Sequence, residues 1–197
     1  MYDHDWASLA TGKAIPHGLY DLSQNVGYVQ IGVSSDTYEL AIDSLRYWWK
    51  TYGHQQYPTA TSLLLTCDGG GSNSSRSYLF KAALQDLAIE LGIDIRVAHY
   101  PPYTSKYNPI EHRLFPHLTR VCQGVIFDSV DTLKVLMAKA TTAKGLKVFT
   151  TVIETVYETG KQATDELKAN IQLDFDPLLP KWNYTALAKP TKLGLSI

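Results

Sequence analysis

The run Leu63-Leu64-Leu65-Thr66-Cys67 is short, apolar and ends on an acid, Asp68, followed at once by Gly69-Gly70-Gly71. No other stretch constrains the fold as much. A continuous apolar run of this length suits a strand buried on both faces, as in sheets covered by helices. Asp68 would then stand at the carboxyl end of the strand, where open α/β sheets place their ligands. The glycines, with Ser72 and Asn73 after them, leave a loop of little side-chain bulk. Such a loop also suggests phosphate binding, but the pattern G-x-x-x-x-G-K-[ST] is absent, which leaves a plain strand-to-helix turn as the main alternative.

A second stretch is as specific: His99-Tyr100-Pro101-Pro102-Tyr103-Thr104-Ser105-Lys106-Tyr107-Asn108-Pro109-Ile110-Glu111-His112-Arg113. The tandem prolines hold the backbone extended after the strand-like run Ile93 to Ala98. Asn108 reads as an N-cap, Pro109 as the first helical residue and Glu111 as the third, where its carboxylate closes a capping box. On spacing alone Glu111 is a cap, since acids are common at helix starts. Asp68, at the end of another strand, adds a second reading in which the two carboxylates form a pair.

Around these stretches the chain alternates strands and helices. Lys13 to Tyr20 and Tyr28 to Val33 predict a hairpin about a polar turn that takes in Asp21. A helix is expected from Asp36, with Glu39 at capping-box spacing, an apolar stripe through Leu45, Trp48 and Trp49, and Gly53 as its stop. The tryptophans fit core packing better than a base-stacking platform at this spacing. Ser75 to Leu91 predicts a helix ended by Gly92, Ile93 to Val97 a strand, and the Glu111 helix runs on to about Cys122. Ser129 caps a further helix, Lys147 to Tyr157 reads as a strand and Thr164 to Ile171 as a short helix. The last 25 or so residues, with Pro177, Pro180 and Pro190, read as an irregular packing tail.

With 197 residues, 45% of them hydrophobic, the chain is long enough to bury one substantial core. No apolar run approaches bilayer length, so no membrane partner is expected. Two cysteines, Cys67 and Cys122, make no disulfide framework and read as reduced core thiols of a cytosolic protein. No zinc-ligand spacing occurs, and His112 and His117 read as surface or satisfied histidines. Net charge is −1, which is not that of a free-standing DNA binder. The charge is uneven, however: residues 96–150 hold eight Lys/Arg (Arg96, Lys106, Arg113, Arg120, Lys134, Lys139, Lys144, Lys147) against three acids, Glu111, Asp128 and Asp131. The basic excess surrounds Glu111, and phosphate contact is its functional reading beside that of a solvated face.

The segments Leu64 to Asn73, His99 to Pro102 and Asn108 to Phe115 resemble those of the Rhodopirellula-type DDE transposases, bacterial insertion-sequence enzymes related more distantly to the mariner-like transposases. The likeness continues in Gly12-Lys13-Ala14-Ile15-Pro16 and in Trp182-Asn183-Tyr184. It implies an α/β, ribonuclease-H-like mixed sheet flanked by helices, with an acidic triad that holds two divalent metals for phosphodiester chemistry. In that scheme Asp68 and Glu111 are catalytic residues and ligands of Mg²⁺ or Mn²⁺. Lys106, Arg113, Arg120, Asn73, Tyr103 and Tyr107 would contact DNA, the transposon ends. The family places its first catalytic aspartate on a middle strand beside the Asp68 strand. That strand has no counterpart here, because Asp3 and Asp5 end no convincing strand and Asp21 belongs to a turn.

The resemblance therefore implies a transposase-derived polynucleotidyl transferase domain that is inactive alone. It would comprise a truncated catalytic unit over 1–160 and a packing extension of the same domain over 161–197. The expected location is cytoplasmic and bacterial, at the nucleoid when bound to DNA. Two other readings share the fold: a non-catalytic remnant acting as a binding or dimerisation module, and a nuclease. The gap left by the strand would close directly, take in the N-terminal decapeptide, or be covered by a second copy. Direct closure and a homodimer are the expected outcomes, since Met1 to Ala10 is poor in strand formers.

Overall fold

A computed structural model describes residues 12–101 and 103–189. In chain order its first elements are β1 (Ile15–Asp21), β2 (Val26–Gly32), α1 (Tyr38–Trp48), β3 (Ser62–Cys67), α2 (Tyr78–Leu91) and β4 (Asp94–His99). Then follow α3 (Ile110–Arg113), α4 (Phe115–Cys122), α5 (Val130–Ala138), β5 (Lys147–Ile153), α6 (Asp165–Asn170), β6 (Leu173–Phe175) and β7 (Asn183–Ala186).

β1 and β2 form the expected antiparallel hairpin. The Asp21 carboxylate ties its turn by accepting from the backbone N–H groups of Ser23 at 2.9 Å and Gln24 at 3.1 Å. Thr37, not Asp36, caps α1, its side chain accepting from Leu40 N–H. The helix does not stop at Gly53. It passes through a π-helical turn, Trp49–Gly53, and ends after His54–Gln56. A Cβ on Gly53 would lie 2.7 Å from the Trp49 ring and 3.2 Å from Trp48, so this glycine lets two indoles close on the backbone. Both tryptophans are buried in the core, as their spacing predicts.

Successive residues of β2 face opposite layers. Tyr28 packs with α1 and α2, whereas Val29 and Ile31 pack with Leu114, Leu118, Leu133 and Met137 from α4, α5 and the bend before α4. Each large apolar side chain so buried contributes roughly 1.5–3 kcal/mol. β5 lies parallel to β2 on its far side, so the first sheet has the order β1-β2-β5. The second has the order β3-β4-β7-β6, with β3 and β4 parallel. The expected irregular tail is thus partly ordered: β6 and β7 pair antiparallel and β7 adds to β4. The architecture is α/β, with mixed sheets flanked by helices, in keeping with a ribonuclease-H-like fold.

β3 is not buried on both faces as its apolar run predicted; Leu64 is 62% exposed. The cause is its position, for among the described residues β3 pairs only with β4, and β1 only with β2. Direct closure of these two strands, one of the expected outcomes, therefore does not occur. A cavity of about 560 Å³ lies between them, walled by β1 and β3. Leu45, Trp48 and Trp49 of the first helix also line it. The decapeptide Met1 to Ala10 lies outside the described residues.

Candidate active site

Asp68 ends β3 at this cavity, and the chain turns away through Gly71, whose φ of 57° suits a residue without a Cβ. Asp68 is exposed at the rim, yet the packing around it pushes its carboxyl pKa up; Asp36 adds to that shift and His99 opposes it. The preceding thiol, Cys67, is buried and pushed up to about 12 by burial first and Asp68 second, which keeps it protonated and inert.

The backbone of Asp68 is held from β4. His99 Nδ1–H donates to the Asp68 carbonyl at 3.1 Å, which leaves Nε2 to accept from the Tyr184 hydroxyl at 2.9 Å. His99 is 5% and Tyr184 1% exposed, and burial lowers the imidazole pKa, consistent with the neutral form. Lys81 stands 5.1 Å above the Tyr184 ring. The Trp182-Asn183-Tyr184 segment is thereby part of the site's support, through β7.

Glu111 lies in α3, half-buried on another wall of the same cavity. Asn108, 6% exposed, caps this turn by accepting from Ile110 N–H at 3.4 Å. The reciprocal half of the predicted capping box, from the Glu111 carboxylate to Asn108 N–H, is not among the described hydrogen bonds. The carboxylate is therefore not consumed as a cap. The helix is also shorter than predicted: it breaks at Leu114 (φ −125°, ψ −63°) and restarts as α4. Pro116 explains this, since it has no N–H for the His112 carbonyl and its ring crowds that turn.

The structure thus brings Asp68, Asn73 and Glu111 to one cavity and leaves Lys106, Arg113, Arg120, Tyr103 and Tyr107 outside its lining. Lys106, Arg113 and Arg120 are exposed and in no salt bridge among the described residues, whereas Arg46 and Lys50 are paired with Glu90. Arg120 donates to the Thr141 carbonyl at 2.9 Å, and Lys106 lies 5.2 Å over the Tyr107 ring. Sequence reasoning passed over Asp36 and His17 and assigned Asp21 to a turn; all three line the cavity, and Asp21 does so from the carboxyl end of β1. Asp36 had been read only as a helix start. It lies four residues past the end of β2, on the loop between that strand and α1, and a polar loop after a strand was the available signal.

Among the described residues no three His, Cys, Asp or Glu side chains stand together as a metal cluster. The cavity lining nonetheless offers hard oxygens, from Asp68, Glu111 and Asn73 and also from Asp21 and Asp36, beside the His17 imidazole, and the adjacent thiol is protonated. The oxygens suit Mg²⁺ or Mn²⁺ in kind, although among the described residues no three of the acids stand together. Also among the described residues, no helix is long and apolar enough to cross a membrane.

No curated protein and no solved structure matches the chain. A family model, described as the Rhodopirellula transposase DDE domain, matches residues 1–188, a span that takes in both acids, the glycine loop and β7. On that match the chain belongs to the Rhodopirellula-type DDE transposase family.

Proposed function

We propose that this transposase domain carries two of the three acids of a polynucleotidyl transferase site, Asp68 and Glu111, and is inactive alone. One observation carries the reading: acids from two separate elements line a single cavity bordered by β1 and β3, whose facing edges are unpaired among the described residues. An extended segment between β1 and β3 would satisfy both edges and bring a third carboxylate beside Asp68. Asp68 and Glu111 would hold Mg²⁺ or Mn²⁺, which when bound supplies activation of the attacking oxygen and stabilisation of the leaving oxygen.

The chain's own contribution is placement. His99 and Tyr184 fix the Asp68 backbone, and Asn108 fixes the turn that bears Glu111. Exposed Lys106, Arg113 and Arg120 are available for the phosphates of transposon-end DNA, with Asn73 at the cavity and Tyr103 and Tyr107 on the adjoining loop. Such binding is sequence-independent and weakens as salt rises. A DNA partner at the bacterial nucleoid, and so a cytoplasmic location, accords with this surface. The non-catalytic reading, a binding or dimerisation remnant, rests on the lack of a third clustered ligand among the described residues.

Titration calorimetry with Mn²⁺ tests the proposal. Asp68→Asn and Glu111→Gln should each weaken binding by at least the roughly 10- to 100-fold that loss of an outer partner of a metal ligand costs. Equal Mn²⁺ affinity in both variants and the wild type would remove the paired-carboxylate site.

A further inference from the structure

Tyr103 is fully exposed, at 100% of its possible surface, and its φ is 65°. Tyr103 lies in a turn in which Thr104 N–H donates to the Pro101 carbonyl at 3.2 Å and the Thr104 hydroxyl donates to the same oxygen at 2.7 Å. Tyr103 directly precedes the donor of that turn, and at its positive φ glycine or asparagine is the ordinary choice. A tyrosine there carries backbone strain. No described hydrogen bond, ring stack or buried contact of its side chain offsets that strain.

Its surroundings indicate what does. The same loop presents Tyr107, 66% exposed, with Lys106 already over its ring at 5.2 Å, and runs directly into the turn that bears Glu111. The Tyr103 ring has no such partner among the described residues. An exposed aromatic face, next to unpaired cations and beside the catalytic cavity, is the arrangement that holds a nucleobase by stacking while the cations hold its phosphates.

We infer that Tyr103 is a stacking residue for an unpaired base of the DNA end, held in a strained backbone position so that its ring projects toward the substrate. The inference rests on the DNA reading of the preceding section and narrows its substrate to ends with at least one base out of the duplex. Replacing Tyr103 with glycine, which removes the Cβ as well as the ring, should raise stability while lowering binding, opposite in sign to the effect of damaging a packed side chain.

The test uses the full chain and two DNA probes, a blunt duplex and the same duplex with a single-stranded end carrying 2-aminopurine. The wild type should bind the frayed probe more tightly and quench its fluorescence. Tyr103→Gly should melt about 2–4 °C higher, lose roughly 5- to 100-fold on the frayed probe and bind the blunt duplex as before. Tyr103→Phe should keep the preference. Equal discrimination by the wild type and Tyr103→Gly would overturn the stacking role, as would loss of the preference in Tyr103→Phe. Failure of the wild type to bind even the blunt duplex would overturn the DNA reading itself.

Discussion

At the scale of single residues, the cavity sets the protonation states around it. His17 of β1 faces it, and burial lowers the imidazole pKa below 6.5, with Asp36 opposing. The unfolded chain then binds a proton that the folded chain does not. The stability this contributes is fully present above pH 6.5 and is lost as pH falls through the folded-state value. His99 acts in the same direction. Urea midpoints should therefore fall between pH 7 and pH 5, and less so in His17→Gln; an equal fall in the two would show that His17 takes no part. Much at this scale was legible. Cys67 inside an apolar run and the two tryptophans at helical spacing had to be core. Asp21 was misplaced: its side chain ties the turn, but the residue itself ends β1, paired with Val26. Tyr103 was legible only as an aromatic, because its backbone angle depends on the hydrogen bonds of its turn.

Among the elements, α3 holds the site's second acid, and the tightest of the contacts that fix it and α4 to the sheet is at Leu114. Leu114, wholly buried at the break between them, approaches Gly27 of β2 so closely that a Cβ there would lie 2.4 Å from its Cδ1. Gly27→Ala should cost about 1–3 kcal/mol by overpacking, and Leu114→Ala about 2–5 kcal/mol by leaving a cavity. The double variant should cost less than the two together by roughly 1 kcal/mol or more, since the new methyl fills space that the leucine vacates. Strict additivity in denaturant unfolding would mean that the two residues do not share this contact. Elements whose ends carry their own signal were placed well: Ser129 and Thr164 cap the helices expected of them, and Gly92 closes α2 at φ 70°. Elements that depend on neighbours were not. Gly53 looked like a stop because its packing against two indoles is a tertiary fact, and Pro116 was overlooked as a breaker inside an apolar periodicity.

For the whole molecule, the question is what meets the two strand edges. The α/β class and the strand order through β4 were readable from apolar runs and turn residues. β6 and β7 were not, being short, separated by prolines and dependent on the edge of β4 for pairing. The resemblance led to the expectation of a gap between β1 and β3; among the described residues the two strands do not pair, so direct closure does not occur. A second copy across this edge is the remaining expectation, as exposed ladder edges template pairing. Light scattering should give twice the 22.0 kDa chain mass; a monomer at tens of micromolar would argue that the edge is covered from within.

Anomalous diffraction from a crystal soaked in Mn²⁺ bears most directly on the central claim, that Asp68 and Glu111 form one metal-binding pair. A peak in the β1–β3 cavity, with a carboxyl oxygen of each residue at about 2.0–2.6 Å from the ion, is the predicted result. Both carboxylates ordered and free of metal, with Mn²⁺ elsewhere or absent, would contradict it.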